Sequence, residues 1–236
     1  MKNQVQITEM FNKIAPSYDF LNRIFSFGCD KIWRKKAISF LKDIQNPVFL
    51  DVATGTGAMV FEMLKLYPTD VYAVDTSVQM ITRLKLRAKR KGLEEKIHAS
   101  LGDVNELNFD NKSEIFDAVT VAFGVRNFQN LLTGLKEICR VTKPGGKIII
   151  LELTMPTNPR FLKFYNFYMS KIVIFWGGLI SGNKTAYKYL FESIRNFPAG
   201  VEFEKILSDA GLNPIKHIRM TYGIATIYVA EKPLQY

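Results

Sequence analysis

With 236 residues, 47% of them hydrophobic and 13% aromatic, the chain has enough apolar material for a full core, which excludes disorder as its main state. Its two cysteines, Cys29 and Cys139, lie far apart and there are only two histidines, which excludes a disulfide framework, argues against a metal site and suits a reducing compartment. The formal net charge of +10 points to an anionic partner, either nucleic acid or a membrane surface carrying acidic lipids.

In chain order, residues 1–46 read as a helical cap, with helices over 6–14 and 29–41, the second carrying Lys31, Arg34, Lys35 and Lys36. The opening MKNQVQITEMFNK lacks the apolar core of a signal peptide, so a cytoplasmic placement is expected. From Pro47 onward, strand-like runs alternate with helical patterns, which argues for βαβ units and a mainly parallel sheet. PVFLDV is a buried first strand, followed by a helix over 57–67, then VYAVD as a second strand and a helix over 77–91. The basic run from Arg83 to Lys91 on that helix reads as a solvated face. A third strand covers 97–101, FDAVTVAF is a fourth, and a helix spans 131–141. KPGG then turns the chain into KIIILEL, a fifth strand. The alternation stops over 155–199, an aromatic helical insertion centred on FLKFYNFYMSKIVIFW. Lys163 and Lys171 interrupt it, so it is too short in uncharged length to span a bilayer. A helix over 201–210 ends at Gly211, and NPIKHIRM and GIATIYVAEK pair as an antiparallel hairpin. The whole chain, 1–236, is expected to be a single Rossmann-like α/β unit with a seven-stranded, mostly parallel sheet, an arrangement that resembles the class I S-adenosylmethionine-dependent methyltransferase fold.

LDVATGTGAM joins the first strand to the first helix, where doubly wound folds bind ligands. Gly55 and Gly57 let the backbone turn tightly and approach a ligand, and Asp75 ends the second strand, where a carboxylate accepts ribose hydroxyls. A dinucleotide fingerprint would need a third glycine where Val60 stands. Asp51 would also repel a pyrophosphate, whereas the sulfonium and ammonium of S-adenosylmethionine are favoured by it. Asp103, after the third strand, suits an adenine amino group, with the Val104 backbone beside it.

At this point the chain resembles the ubiquinone/menaquinone biosynthesis C-methyltransferase family over nearly its full length. The likeness rests on FNKIAPSYDFLNRIFSFGCDKIWR, VAFGVRNFQN, RVTKPGGKIIILELT and AYKYLFESIRNFP. The FGxRN motif together with the opening and late motifs is specific, whereas RVxKPGG alone is common among methyltransferases. Asp30 stands where many members have His, Ala53 where glycine is frequent, and Ala122 where some have a serine that contacts the cofactor. Phe191 replaces a frequent proline, and Thr142 and Thr154 are small changes. The resemblance implies that Thr56, Asp75, Asp103 and Val104 contact S-adenosylmethionine and that Arg126 and Asn127 face the acceptor. It also implies C-methylation of a polyprenylated quinol, demethylmenaquinol first and a ubiquinol precursor as the alternative.

An aromatic carbon becomes nucleophilic once the adjacent hydroxyl loses its proton, so the site must align ring and methyl and stabilise an oxyanion. Arg126 stays protonated and suits the second task, with Asn127 for a second ring oxygen. A loop anchor bonded to a carboxylate is the alternative for Arg126. Tyr18 and Asp19 read equally as a lid assisting proton removal and as a packed tyrosine with a helix cap. Asp51 reads as a loop anchor, and Glu152 and His217 as structural. The rings at 161–176 supply core and an apolar groove for an isoprenoid tail, and the lysines around them suit peripheral contact with the inner face of the membrane. A nucleic-acid methyltransferase is disfavoured by the lack of an NPPY-type motif, and a non-catalytic lipid- or quinone-binding protein by the intact cofactor loop. A homodimer stays open, and no metal is expected.

Overall fold

A computed structural model describes residues 4–109 and 112–234. Three helices open the chain, α1 (Gln4–Ile14), α2 (Tyr18–Phe25) and α3 (Cys29–Ile38). The alternating part follows as β1 (Val48–Val52), α4 (Val60–Met63), β2 (Asp70–Asp75), α5 (Val78–Arg90), β3 (Ile97–Leu101), β4 (Phe116–Ala122), α6 (Leu131–Val141) and β5 (Thr142–Leu153). The insertion holds α7 (Pro159–Phe167), a π-helical stretch (Tyr168–Val173), α8 (Ile174–Ser181) and α9 (Lys184–Arg195). The chain closes with α10 (Val201–Asp209), β6 (Asn213–Met220) and β7 (Ala225–Glu231).

The seven strands run in the order β3-β2-β1-β4-β5-β7-β6. β7 runs antiparallel to both its neighbours, so the hairpin inserts one reversed strand and returns β6 to the common direction. The apolar runs of β1 and β4 are buried because helices cover both faces, as a parallel sheet requires. α5 is amphipathic: Met80, Ile81, Leu84 and Ala88 are buried, and the Ser77 side chain accepts from the Met80 N–H to cap it. Asn130 caps α6 in the same way. KPGG is a departure inside β5, where the pairing with β4 slips between Phe116 and Ala118 and Gly145 takes φ 73°.

Two apolar clusters fill the faces of the sheet. A third joins the N-terminal helices to the insertion, with Met10, Ile14 and Leu21 against Tyr165, Met169 and Val173. The chain leaves along β1, β2 and β3 and returns to β4 beside β1. The reversal opens a crevice at the carboxyl ends of β1 and β4, where open α/β sheets bind ligands. The third cluster sets α1, α2 and the insertion around that crevice. α2 departs from the expectation of two N-terminal helices. Its eight residues are held by tertiary contacts, with Leu21 buried and the Tyr168 hydroxyl donating to Phe25 O at 3.1 Å.

Candidate active site

The loop after β1 is built around two carboxylates. Asp51 is buried, and its oxygens accept from the Thr120 hydroxyl at 2.5 Å and the Thr54 hydroxyl at 2.7 Å. Burial pushes its pKa up to about 6, against the pull of those two hydroxyls. Asp51 thus anchors the loop from beneath. Asp75 accepts from the Gly55 N–H at 2.7 Å and the Ser77 N–H at 2.8 Å, and burial raises its pKa. Gly57 adopts φ 81°, and a Cβ there would lie 2.2 Å from Leu84 Cδ1, so both conformation and packing require glycine.

Asp103 accepts from the backbone and side-chain N–H groups of Asn105 at 2.8 and 2.7 Å. Asn105 Oδ1 is buried without a hydrogen-bond partner among the described residues, next to buried Val104. An unfilled acceptor at that strand end, beside a glycine cradle and a ribose-type carboxylate, fits an adenine nucleoside. Ala122, the last residue of β4, adds no hydrogen bond, and Phe123 follows it at φ 60°. The N-terminal helices close over this crevice. The Thr56 hydroxyl donates to Asp19 Oδ1 at 2.7 Å, and Arg87 reaches both Asp19 and the Thr56 carbonyl. Asn12 Oδ1 accepts from the Ser77 hydroxyl at 2.6 Å.

A cavity of about 350 Å³ lies beside the crevice, enclosed by α1–α3 and the insertion. Its wall is aromatic, with Tyr18, Trp33, Phe123, Tyr165 and Tyr168 among the lining residues, and Arg126 reaches it from the turn after β4. Burial pushes the Tyr18 phenol above its usual range, against the nearby charge of Arg126, so it stays protonated at neutral pH. Arg126 is paired with Glu152 of β5, a fully buried carboxylate; the guanidinium also donates to Phe123 O at 2.7 Å and to Ser193 Oγ at 3.3 Å. The anchor and the cavity-facing group are therefore the same residue. Asn127 Oδ1 accepts from the Tyr189 hydroxyl at 3.0 Å, which orients its amide.

The structure thus gathers Asp51, Gly55, Thr56, Gly57, Asp75, Asp103, Val104 and Ala122 at neighbouring strand ends, and sets Arg126 and Tyr18 on the adjoining cavity. Asp19 is tied to the glycine loop and not to that cavity. Sequence reasoning passed over Tyr189 and Ser193, which come from the late AYKYLFESIRNFP segment. His217 pairs with Glu204 at 2.7 Å, away from the crevice.

The family model of the ubiE/COQ5 methyltransferase family matches residues 1–232. The chain belongs to that family. A "Demethylmenaquinone methyltransferase" of Bacteroides fragilis is 40% identical, over 98% of this chain and 94% of its own. A "Ubiquinone/menaquinone biosynthesis C-methyltransferase UbiE" of Geotalea daltonii is 39% identical over 96% of each chain. Among solved structures, an S-adenosylmethionine-dependent methyltransferase from Clostridium acetobutylicum superposes with a TM-score of 0.64 at 14% identity, covering 92% of this chain and 97% of its own. The [4+2]-cyclase SpnF superposes with a TM-score of 0.73 at 14% identity, covering 99% of this chain and 98% of its own. Likenesses at such low identity speak for the fold, which is that of S-adenosylmethionine-dependent methyltransferases. As a member of the ubiE/COQ5 family the chain is a methyltransferase enzyme.

Proposed function

We propose that this chain transfers the methyl group of S-adenosylmethionine to a ring carbon of a polyprenylated quinol, with demethylmenaquinol as the favoured acceptor. The observation that carries the acceptor is the aromatic cavity next to the cofactor crevice, with one buried cation at its wall. A volume of about 350 Å³ suits a fused bicyclic ring with the first part of its tail. The names of the relatives from Bacteroides fragilis and Geotalea daltonii point the same way.

The cofactor, held by Asp75, the Gly55–Gly57 turn, Thr56 and the Asp103–Val104 strand end, supplies an electrophilic methyl on sulfonium. The protein's own task is to hold the ring against it and to accommodate the negative charge on the ring oxygen. Arg126 does the latter. Its guanidinium is always charged, and Glu152, the Phe123 carbonyl and Ser193 fix its plane, so no reorganisation is needed as charge develops. Tyr18 donates a hydrogen bond as a neutral phenol; Asn127, expected to face the acceptor, does not line the cavity and instead holds Tyr189, which does. Asp19 holds the N-terminal cap on the glycine loop.

Partner and placement follow from the outer face of residues 159–181. Phe164, Phe167, Ile172, Phe175, Trp176 and Leu179 are exposed there, alongside Lys163 and Lys171. Phe164 also lines the cavity, as do the exposed Phe27 and Tyr222, so the apolar surface is continuous with the cavity mouth. Among the described residues no helix is long and apolar enough to cross a membrane. A helix with basic residues beside an apolar outer face lies on a bilayer, its apolar side in the headgroup boundary. The tail then stays in lipid while the ring enters the cavity. The direct test is methyl transfer from labelled cofactor to short-tailed demethylmenaquinol and to a ubiquinol precursor under reducing conditions, with product mass. Labelled menaquinol is expected. Absence of product with either acceptor, from protein that binds cofactor, would overturn the quinol assignment.

A further inference from the structure

The amino-acid end of S-adenosylmethionine carries an α-carboxylate as well as an α-ammonium. None of the groups so far assigned to the cofactor offers a cation to that carboxylate. Asp51, Asp75 and Asp103 are acidic, and the glycines supply only backbone.

A second cavity, of about 270 Å³, opens next to the glycine loop, bounded by α2, α3, Ala58 and Arg87. Arg23, Arg34 and Arg87 all reach it. Arg23 is exposed. Arg87 is committed, with its Nη1 donating to the Thr56 carbonyl at 2.8 Å and to Asp19 at 3.1 Å, and its guanidinium 4.7 Å from the Phe61 ring centroid.

Arg34 differs from both. It is only 8% exposed, although the adjacent Lys35 and Lys36 are exposed. Asp30, one turn earlier on α3, accepts from its Nη1 at 2.5 Å. The Ser26 hydroxyl holds the other Asp30 oxygen at 3.1 Å. The Arg34 guanidinium lies 5.3 Å from the centroid of the Phe123 ring, the residue that follows β4. Its partner Asp30 lines both this cavity and the acceptor cavity, so the pair sits between the two. Among the described residues its Nε and Nη2 groups make no hydrogen bond. Those groups keep access to the second cavity, where an anion can fill them. A carboxylate received by two parallel N–H groups is the partner that its fork matches best.

We propose that Arg34 binds the α-carboxylate of S-adenosylmethionine, with Asp30 and the Phe123 ring holding the guanidinium in place. This rests on the cofactor reading above and adds to it a residue that fixes the amino-acid end. Because the nucleoside is held at Asp75 and Asp103, a second grip at the far end sets the position of the sulfur between them.

Calorimetry on the full chain tests this with three probes. They are S-adenosylhomocysteine, its analogue lacking only the α-carboxylate, and 5′-methylthioadenosine, which lacks the whole amino acid. The wild type is expected to prefer S-adenosylhomocysteine over the decarboxylated analogue by on the order of ten- to a hundredfold. In Arg34→Gln that preference falls to within about threefold, while 5′-methylthioadenosine binds as in the wild type. Arg34→Gln leaves Asp30 buried without its partner, so Asp30→Asn combined with Arg34→Gln is measured beside it, and unchanged methylthioadenosine binding reports the intact fold. A wild-type preference in either variant overturns the assignment of Arg34. Failure of the wild type to bind any of the three probes overturns the cofactor reading itself.

Discussion

Arg126 and Glu152 make a prediction that separates stability from chemistry. Glu152 is 0% exposed and the Arg126 side chain 5%. Arg126→Met therefore strands a carboxylate in the core, and removal of one partner from a buried pair costs about 3–5 kcal/mol. In a chain of this length each kcal/mol moves Tm by about 2–4 °C, so the expected loss is roughly 6–20 °C. Adding Glu152→Gln removes the stranded charge. It also keeps a side-chain oxygen for the Leu153 or Arg126 N–H, both of which Glu152 accepts at present. Most of the lost Tm should return. Turnover should not return, because both variants lack the cation at the cavity wall, and loss of one such stabilising group costs on the order of a hundredfold in rate. Thermal unfolding and methylation of short-tailed demethylmenaquinol are the assays. A single variant within about 1 kcal/mol of wild type would refute the buried-pair argument. Near-normal turnover in the folded double variant would remove Arg126 from the chemistry.

Asp75→Asn should weaken cofactor binding by about ten- to a hundredfold in calorimetry, since it removes a charged acceptor of the ribose hydroxyls and keeps an acceptor for only one of the Gly55 and Ser77 N–H groups; an unchanged dissociation constant would refute that role. Asp51, with its folded pKa raised to about 6, should destabilise the cofactor-free protein progressively as pH rises from about 4 to 6, by up to about 3 kcal/mol. The folded state holds a proton in that window that the unfolded state has released. The stability advantage of Asp51→Asn in urea unfolding should grow over the same window and then level off, and a pH-independent difference would contradict the sign. Phe175→Ser with Trp176→Ser should abolish flotation with anionic vesicles, whose binding of the wild type should weaken as salt rises; flotation equal to wild type would place the contact elsewhere.

The strand ends were legible because the parallel strands announce themselves. PVFLDV, VYAVD and FDAVTVAF are short apolar runs, and each acidic or glycine residue that follows one falls on the crevice by topology alone. α2 was hidden, since YDFLNRIF is too short to declare a helix and owes its form to Leu21 and Tyr168 packing on it. The pairing of Arg126 with Glu152 was hidden for another reason. The β4–β5 register aligns Ala122 with Leu151, and that places the next polar residue of β5 beneath the turn. A lone Glu in IIILELT was the only clue. Arg34 was hidden by its company. Lys31, Lys35 and Lys36 are solvated, and only the helical phase set by Trp33 and Ala37 turns Arg34 inward.

The π-helical stretch at Tyr168–Val173 acts as a phase correction. Tyr165, Met169, Val173 and Gly177 face inward at a strict spacing of four. In a plain α-helix four residues over-rotate by about 40°, so this row would spiral off the core within three steps. The wider turn rotates back and keeps the row straight, which lets Gly177 meet Tyr187, where an added Cβ would sit 2.5 Å from the ring. Forcing the same six residues to α pitch would swing everything beyond them by about 100°, the turn of one residue. Phe175 and Trp176 would then turn inward against Tyr187, and a bulky inner residue would leave the core. The outward aim of the lipid-facing rings is thus set by one surplus residue in the helix that carries them.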